Sequence, residues 1–179
     1  MVHDKWEIRW KELLHDTYAY GSKIQFQKDG SVSFCNQLMP PGSVIHRWYA
    51  KTNYQMQRLE PGLPLIDGER AYAVTLHADV QKKEQKALLL RIIFYDRYDN
   101  EATSVTFRAQ RSVFLPPIKT YSYCIELVNG GIESFTFHSI ELEEIAREEF
   151  DEEQARLEKM QKTPKKGKTK RKKDKTAKR

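Results

Sequence analysis

At 179 residues and 39% hydrophobic content, the chain is long enough for one well-buried core and leaves a remainder that must stay in water. Its formal charge of +6 is segregated: residues 1–142 hold 17 basic and 16 acidic side chains, residues 143–161 hold 3 and 8, and residues 162–179 hold 11 and 1. The basic balance therefore belongs to a tail, and the two cysteines, Cys35 and Cys124, supply neither a disulfide framework nor a thiolate metal pattern.

The N-terminus carries Asp4 and Glu7 and no apolar run, unlike a signal peptide. The longest apolar stretch, residues 87–95, is broken by Arg91 and is too short to span a bilayer. These features lead us to expect a cytoplasmic protein. Strand periodicity begins at Gly21. Ile24 and Phe26 alternate with polar residues, as do Val32 and Phe34, so a shared apolar face requires Phe26 opposite Val32 and Ile24 opposite Phe34. That register leaves Lys28, Asp29 and Gly30 as a three-residue loop, with Gly30 supplying the left-handed residue such loops need.

Further along, Tyr72, Val74, Leu76, Ala78 and Val80 share one face of a strand. Residues 88–95 are apolar on both faces apart from Arg91, the pattern of a central strand. Asp96, Asp99 and Asn100 lie in a polar turn that lacks the spacing of a calcium loop. Thr103, Val105 and Phe107 continue on the return strand. Tyr121, Tyr123, Ile125 and Leu127 form another apolar face. Phe135 and Phe137 differ in parity from Ile140 and Leu142, which calls for a β-bulge near His138 and Ser139. About eight short strands separated by Pro/Gly turns predict an all-β, jelly-roll-like sandwich over residues 1–142. Leu142, Ile145, Ala146, Phe150, Leu157 and Met160 then recur at helical spacing behind a run of acids, predicting an acidic amphipathic helix over 141–161. Domain boundaries are placed at 1–142, 143–161 and 162–179. The last segment is a Lys/Arg-rich tail without large apolar residues, expected to be disordered.

No nucleophile elbow, phosphate loop, dinucleotide fingerprint or zinc-protease motif occurs. His3, His15, His46, His77 and His138 show no metal-ligand spacing. The expectation is a protein without catalytic residues, metal or cofactor. Trp48, Tyr49 and Tyr54, gathered with Arg47, Lys51, Asn53 and Gln55, are the candidate binding residues. Trp48 and Tyr49 must point to opposite faces of a strand. Core filling, a protein hot spot and ring stacking on a sugar remain open for this group. The tail reads as a salt-sensitive electrostatic arm for anionic lipid or nucleic acid.

Several segments in order resemble one family: Tyr20-Gly21-Ser22-Lys23-Ile24, then Asn36-Gln37-Leu38-Met39-Pro40-Pro41-Gly42-Ser43-Val44-Ile45-His46-Arg47-Trp48. Lys51-Thr52-Asn53-Tyr54-Gln55, Pro61-Gly62-Leu63-Pro64-Leu65, Phe94-Tyr95-Asp96 and Val128-Asn129-Gly130-Gly131 follow. Together they are similar to the third and smallest Asp subunit of the accessory Sec system of Gram-positive cocci and lactobacilli, over about residues 10–142. The resemblance implies a sandwich like a carbohydrate-binding module. It also implies a non-catalytic adaptor that works with two larger Asp-family subunits, serine-rich-repeat adhesin and the dedicated Sec motor. The acidic helix and the basic tail lie outside the resemblance, and peripheral membrane contact is an expectation from the tail's charge alone. A free-standing glycan-binding module and a tail-driven nucleic-acid binder are the alternatives.

Overall fold

The computed structural model describes residues 4–52, 59–81 and 87–162. Ten strands form two antiparallel sheets: β1 (Lys5–Ile8), β2 (Lys23–Phe26), β3 (Val32–Cys35), β4 (Val44–Tyr49), β5 (Ala71–Asp79), β6 (Leu88–Tyr95), β7 (Glu101–Phe107), β8 (Arg111–Phe114), β9 (Ser122–Asn129) and β10 (Ser134–Ile145). The first sheet runs β2-β3-β10-β5-β8, with β1 also paired to β10. The second runs β4-β9-β6-β7. The predicted β-sandwich is thus the fold.

The first hairpin has the predicted register, Phe26 opposite Val32 and Ile24 opposite Phe34. Its loop is closed by Gln27 N–H to Ser31 O and Gly30 N–H to Gln27 O, with Gly30 at φ 82°. The β6–β7 turn repeats this design. Asp96 N–H reaches Asn100 O, Asp99 N–H reaches Asp96 O, and Asp99 itself takes φ 61°. A short polar side chain makes that conformation tolerable. The shift between Phe137 and Ser139 in the β10–β5 ladder is the bulge the parity change demanded. With His138 as the extra residue, Phe135, Phe137, Ile140 and Leu142 all reach the core.

That core holds two aromatic clusters. Trp48 stacks on Phe137 at 5.4 Å, and Trp10 stacks on His46 at 4.5 Å. Toward the other end, Tyr72 stacks on Phe114 at 5.8 Å. Tyr121, expected on the apolar face of β9, instead precedes that strand and is exposed, with the Lys51 ammonium 5.0 Å above its ring.

The predicted helix start is also corrected. β10 continues to Ile145, and α1 spans Arg147–Lys162. Leu142 faces the main core, while Ile145, on the opposite strand parity, joins Ala71, Ala73, Val113 and Phe150 beneath α1. The acids read as a helix start are cross-strand partners. Glu141 bonds Lys5 at 3.0 Å, Glu143 bonds Arg111 at 3.3 Å, and Glu144 bonds Arg70. Two elements went unanticipated, β1 and β8. Each is four residues long, as β2 and β3 are, but neither is joined to a neighbouring strand by a hairpin turn like that at Gly30, which would have revealed its register.

Candidate functional site

The outer face of the second sheet carries the polar constellation. Strand alternation turns Arg47 and Tyr49 outward and Trp48 inward. Trp48 is 4% exposed and donates its indole N–H to Arg9 O at 3.0 Å, so it packs the core and offers no platform to a ligand. Of the other candidate residues, Lys51 is exposed just beyond β4 and pairs with Asp99 at 2.9 Å. Asn53, Tyr54 and Gln55 lie outside the described residues.

Cross-strand register builds the site in rungs. Arg47 lies opposite Glu126, which lies opposite Arg91; Tyr49 lies opposite Cys124, which lies opposite Ile93, which lies opposite Ser104. Glu126 is fully buried, yet both its oxygens are engaged. Arg47 Nε donates to Oε1 at 2.5 Å, and Arg91 donates through Nε and Nη2 to Oε2, each at 2.5 Å. A carboxylate without solvent is tolerable only with such compensation. The guanidinia, about one-third exposed, line a cleft of ≈ 310 Å³, and Arg47 Nη1 also lies 3.6 Å from Asp16 Oδ2. Tyr95, Glu101 and Ser104 complete its lining. The two guanidinia are matched by the Glu101 and Glu126 carboxylates of the lining, with Asp16 also beside Arg47, so the cleft holds no surplus positive charge and suits a neutral ligand better than an anion.

Two phenols and one thiol around it are held protonated. Burial, then the Asp16 carboxylate that accepts its hydroxyl, pushes the Tyr49 phenol well above its usual range. Burial raises Tyr95 likewise, and its hydroxyl sits 3.5 Å from the Cys124 sulfur. Burial also raises the Cys124 thiol. Inside the sandwich, burial drives His46 down to about 3, with Thr17 Oγ1 at 2.8 Å from Nδ1. Thr17 Oγ1 also accepts Leu14 N–H, so this one hydroxyl ties the neutral His46 ring to the loop before β2. Among the described residues no three His, Cys, Asp or Glu side chains gather around a metal position.

A second feature lies at the end of the sandwich beyond Lys51. Leu65, Ile118 and Tyr121 are 84%, 85% and 62% exposed. Leu65 and Tyr121 line one depression, and Ile118 is held beside it where Gly68 packs on Pro117 O. Large apolar side chains this bare, gathered in one place, mark a contact surface.

Of the candidate residues, the structure brings Arg47 and Tyr49 to the cleft and Lys51 to the depression lined by Leu65 and Tyr121, while Arg91, Tyr95, Ser104 and Glu126, which sequence reading did not single out, complete the cleft. The usable signal was a charge inside an apolar strand: Arg91 and Glu126 each interrupt one.

The family model described as Accessory Sec secretory system ASP3 matches residues 17–144. The chain is 39% identical over 151 residues to the accessory Sec system protein ASP3 of Streptococcus gordonii, covering 79% of this chain and 94% of the relative. It is 26% identical to the ASP3 protein of Staphylococcus aureus, covering 79% of this chain and 44% of that one. Among solved structures, the chain superposes at TM-score 0.74 and 30% identity on a chain from accessory secretory protein 1, 2 and 3 of Streptococcus pneumoniae, covering 82% of this chain and 100% of that one. The Gap123 glycosylation-associated complex from Streptococcus agalactiae gives TM-score 0.74 at 33% identity; there this chain spans 80% of its own length and under half, 45%, of the matched chain. On the match across the whole sandwich, this chain belongs to the ASP3 family of the accessory Sec system.

Proposed function

We propose that the chain is a non-catalytic adaptor of the accessory Sec export machinery, docking on two larger Asp-family subunits and holding serine-rich-repeat adhesin during glycosylation and export. The observation that carries this reading is the full-length likeness to a chain of the pneumococcal structure of accessory secretory proteins 1, 2 and 3. The bare Leu65, Ile118 and Tyr121 cluster is the surface best suited to a partner subunit. A non-catalytic role fits the cleft's chemistry: its buried carboxylate, Glu126, is locked between guanidinia and its phenols are held protonated, so none of these groups is set up as an activated nucleophile. No helix among the described residues is long and apolar enough to cross a membrane. We place the protein in the cytoplasm, in peripheral membrane contact through its Lys/Arg-rich tail.

Co-expression of the full chain with the two larger Asp-family proteins tests the assignment. A stable complex of all three is expected, and the pair Leu65→Asp and Ile118→Asp weakens it. Recovery of the chain free of both partners ends the adaptor reading.

A second reading rests on the 310 Å³ cleft, whose fixed donors and acceptors and lack of surplus positive charge suit a sugar held by hydrogen bonds. With Trp48 buried, that contact does not depend on indole stacking. Calorimetry with N-acetylglucosamine-modified repeat peptide against bare peptide decides it. Equal heats from the two remove the sugar from the interaction.

A further inference from the structure

The second sheet has two edges, and they differ. Along β4 the outer edge is occupied: Tyr18 N–H reaches Ile45 O at 2.9 Å, and Gly62 and Leu63 N–H both reach Tyr49 O. Along β7 the outer edge has no partner among the described residues.

Register fixes which β7 groups point outward. On β6, Ala87 O accepts Gly130 N–H and Tyr95 O accepts Tyr121 N–H, so odd-numbered residues bond toward β9. Asp96 N–H reaches Asn100 O, so even-numbered ones bond toward β7. Ser104 and Thr106 lie opposite Ile93 and Arg91, and in an antiparallel ladder residues facing such positions turn their N–H and C=O away. The backbone of Ser104 and Thr106 therefore faces outward.

Open edges are normally kept short, charged or broken by proline. Those of β2 and β8 are four residues long. β7 is seven, and residues 102–107 carry neither charge nor proline. Its inner side offers half-buried Val105 and Phe107 for a neighbour to cover. Ser104 and Thr106 lie on its outer side, with Thr103 beside them in sequence, all hydroxyl-bearing.

We propose that the free edge of β7 is a strand-addition site for an extended, uncharged, serine/threonine-rich polypeptide. The backbone of the added strand pairs with Ser104 and Thr106, which supplies affinity independent of exact sequence. Threonine and serine hydroxyls opposite Thr106 and Ser104 make favourable cross-strand pairs, and small side chains leave the Arg91 cleft open. This inference rests on the adhesin-holding reading and says where and how the polypeptide is held.

The test uses the full-length chain and a synthetic uncharged serine/threonine-rich repeat peptide, with a same-length control in which every second residue is proline. Amide hydrogen exchange of the unsubstituted protein is followed with and without each peptide. The expected result is protection of Ser104 and Thr106 by the repeat peptide alone. Thr106→Pro removes one outward N–H, on an edge where proline is tolerated, and should weaken binding about tenfold without moving the melting temperature. If peptide binds but protects other residues, or if the proline control binds equally, the edge site is overturned while the adaptor reading stands. Absence of binding to either peptide overturns both the site and the adhesin-holding reading. A peptide-free dimer protected at the same two amides overturns the proposal in favour of self-pairing.

Discussion

Arg47 Nε on β4 lies 2.5 Å from Oε1 of Glu126 on β9, a carboxylate with no solvent exposure. The ion pair is therefore a link between strands rather than a surface ornament. Breaking a buried pair by removing one partner is far costlier than replacing the whole group by apolar residues. Glu126→Gln leaves two guanidinia facing each other across an uncharged amide. We expect a loss of about 3 kcal/mol, at the low end of the buried-pair range because both guanidinia are one-third exposed. The triple change Arg47→Met, Arg91→Met and Glu126→Leu should recover most of it. Urea unfolding of the two variants is the measurement, and equal stabilities would mean that the charges cost nothing when unpaired.

His46 makes the fold sensitive to acid. Its folded value is depressed to about 3, while the unfolded chain titrates near the ordinary 6.5. The unfolded state therefore binds the proton first. This contribution to stability is fully present above 6.5 and is lost progressively as pH falls toward 3. From pH 6.5 to 4.5 the loss should be about 2–3 kcal/mol at 1.36 kcal/mol per unit. His46→Asn keeps a hydrogen-bonding amide near the Nδ1 position for Thr17 Oγ1 without the titration. It should start lower, because ring packing on Trp10 is lost, and show a flatter pH slope over that range. Identical slopes for the two proteins would assign the acid sensitivity elsewhere.

The strand pattern was readable because alternation, turn residues and bulge parity agreed. Ile24, Phe26, Val32 and Phe34 fixed one register, and Phe137 against Ile140 demanded the bulge that is present. What misled was the end of β10. Ile145 follows Leu142 by three residues, a spacing that serves a helix face equally well as the two opposite faces of a strand buried on both sides. Only α1 lying on the outer face of β5 and β8 makes an apolar Ile145 intelligible there, and that is a tertiary fact. For the site, Arg47 and Tyr49 were visible as a local cluster. Arg91 and Glu126 are 35 residues apart, and only strand pairing brings them together.

Gly68 ties the loop after Leu65 to the exposed Ile118. A Cβ built on it would fall 2.8 Å from Pro117 O and 3.1 Å from the Ile118 Cα, both backbone atoms that cannot step aside. Gly68→Ala should cost about 1–3 kcal/mol and displace the Ile118 loop. If the apolar end is the partner surface, the same change should weaken assembly beyond what the drop in stability explains. Melting temperature and complex formation measured on one preparation separate the two effects.

Phe150 is the anchor of α1. It is 7% exposed in a satellite cluster with Ala71, Ala73, Val113 and Ile145, separate from the main core. Around it Arg111 reaches Glu149 at 3.1 Å and Glu143 at 3.3 Å, contacts open enough to water to contribute little individually. Apolar packing must therefore hold the helix down, since an isolated 16-residue segment this polar is marginal alone. Phe150→Ala should cost about 2–3 kcal/mol, below the usual range for a core phenylalanine because the neighbours are small and the site can relax. The helix should detach first, with tryptic cleavage at Arg147 and Arg156 appearing while tryptophan fluorescence from the main core, at Trp10 and Trp48, is unchanged. Simultaneous loss of both signals would show that α1 and the sandwich unfold as one unit, which the division into two clusters does not predict.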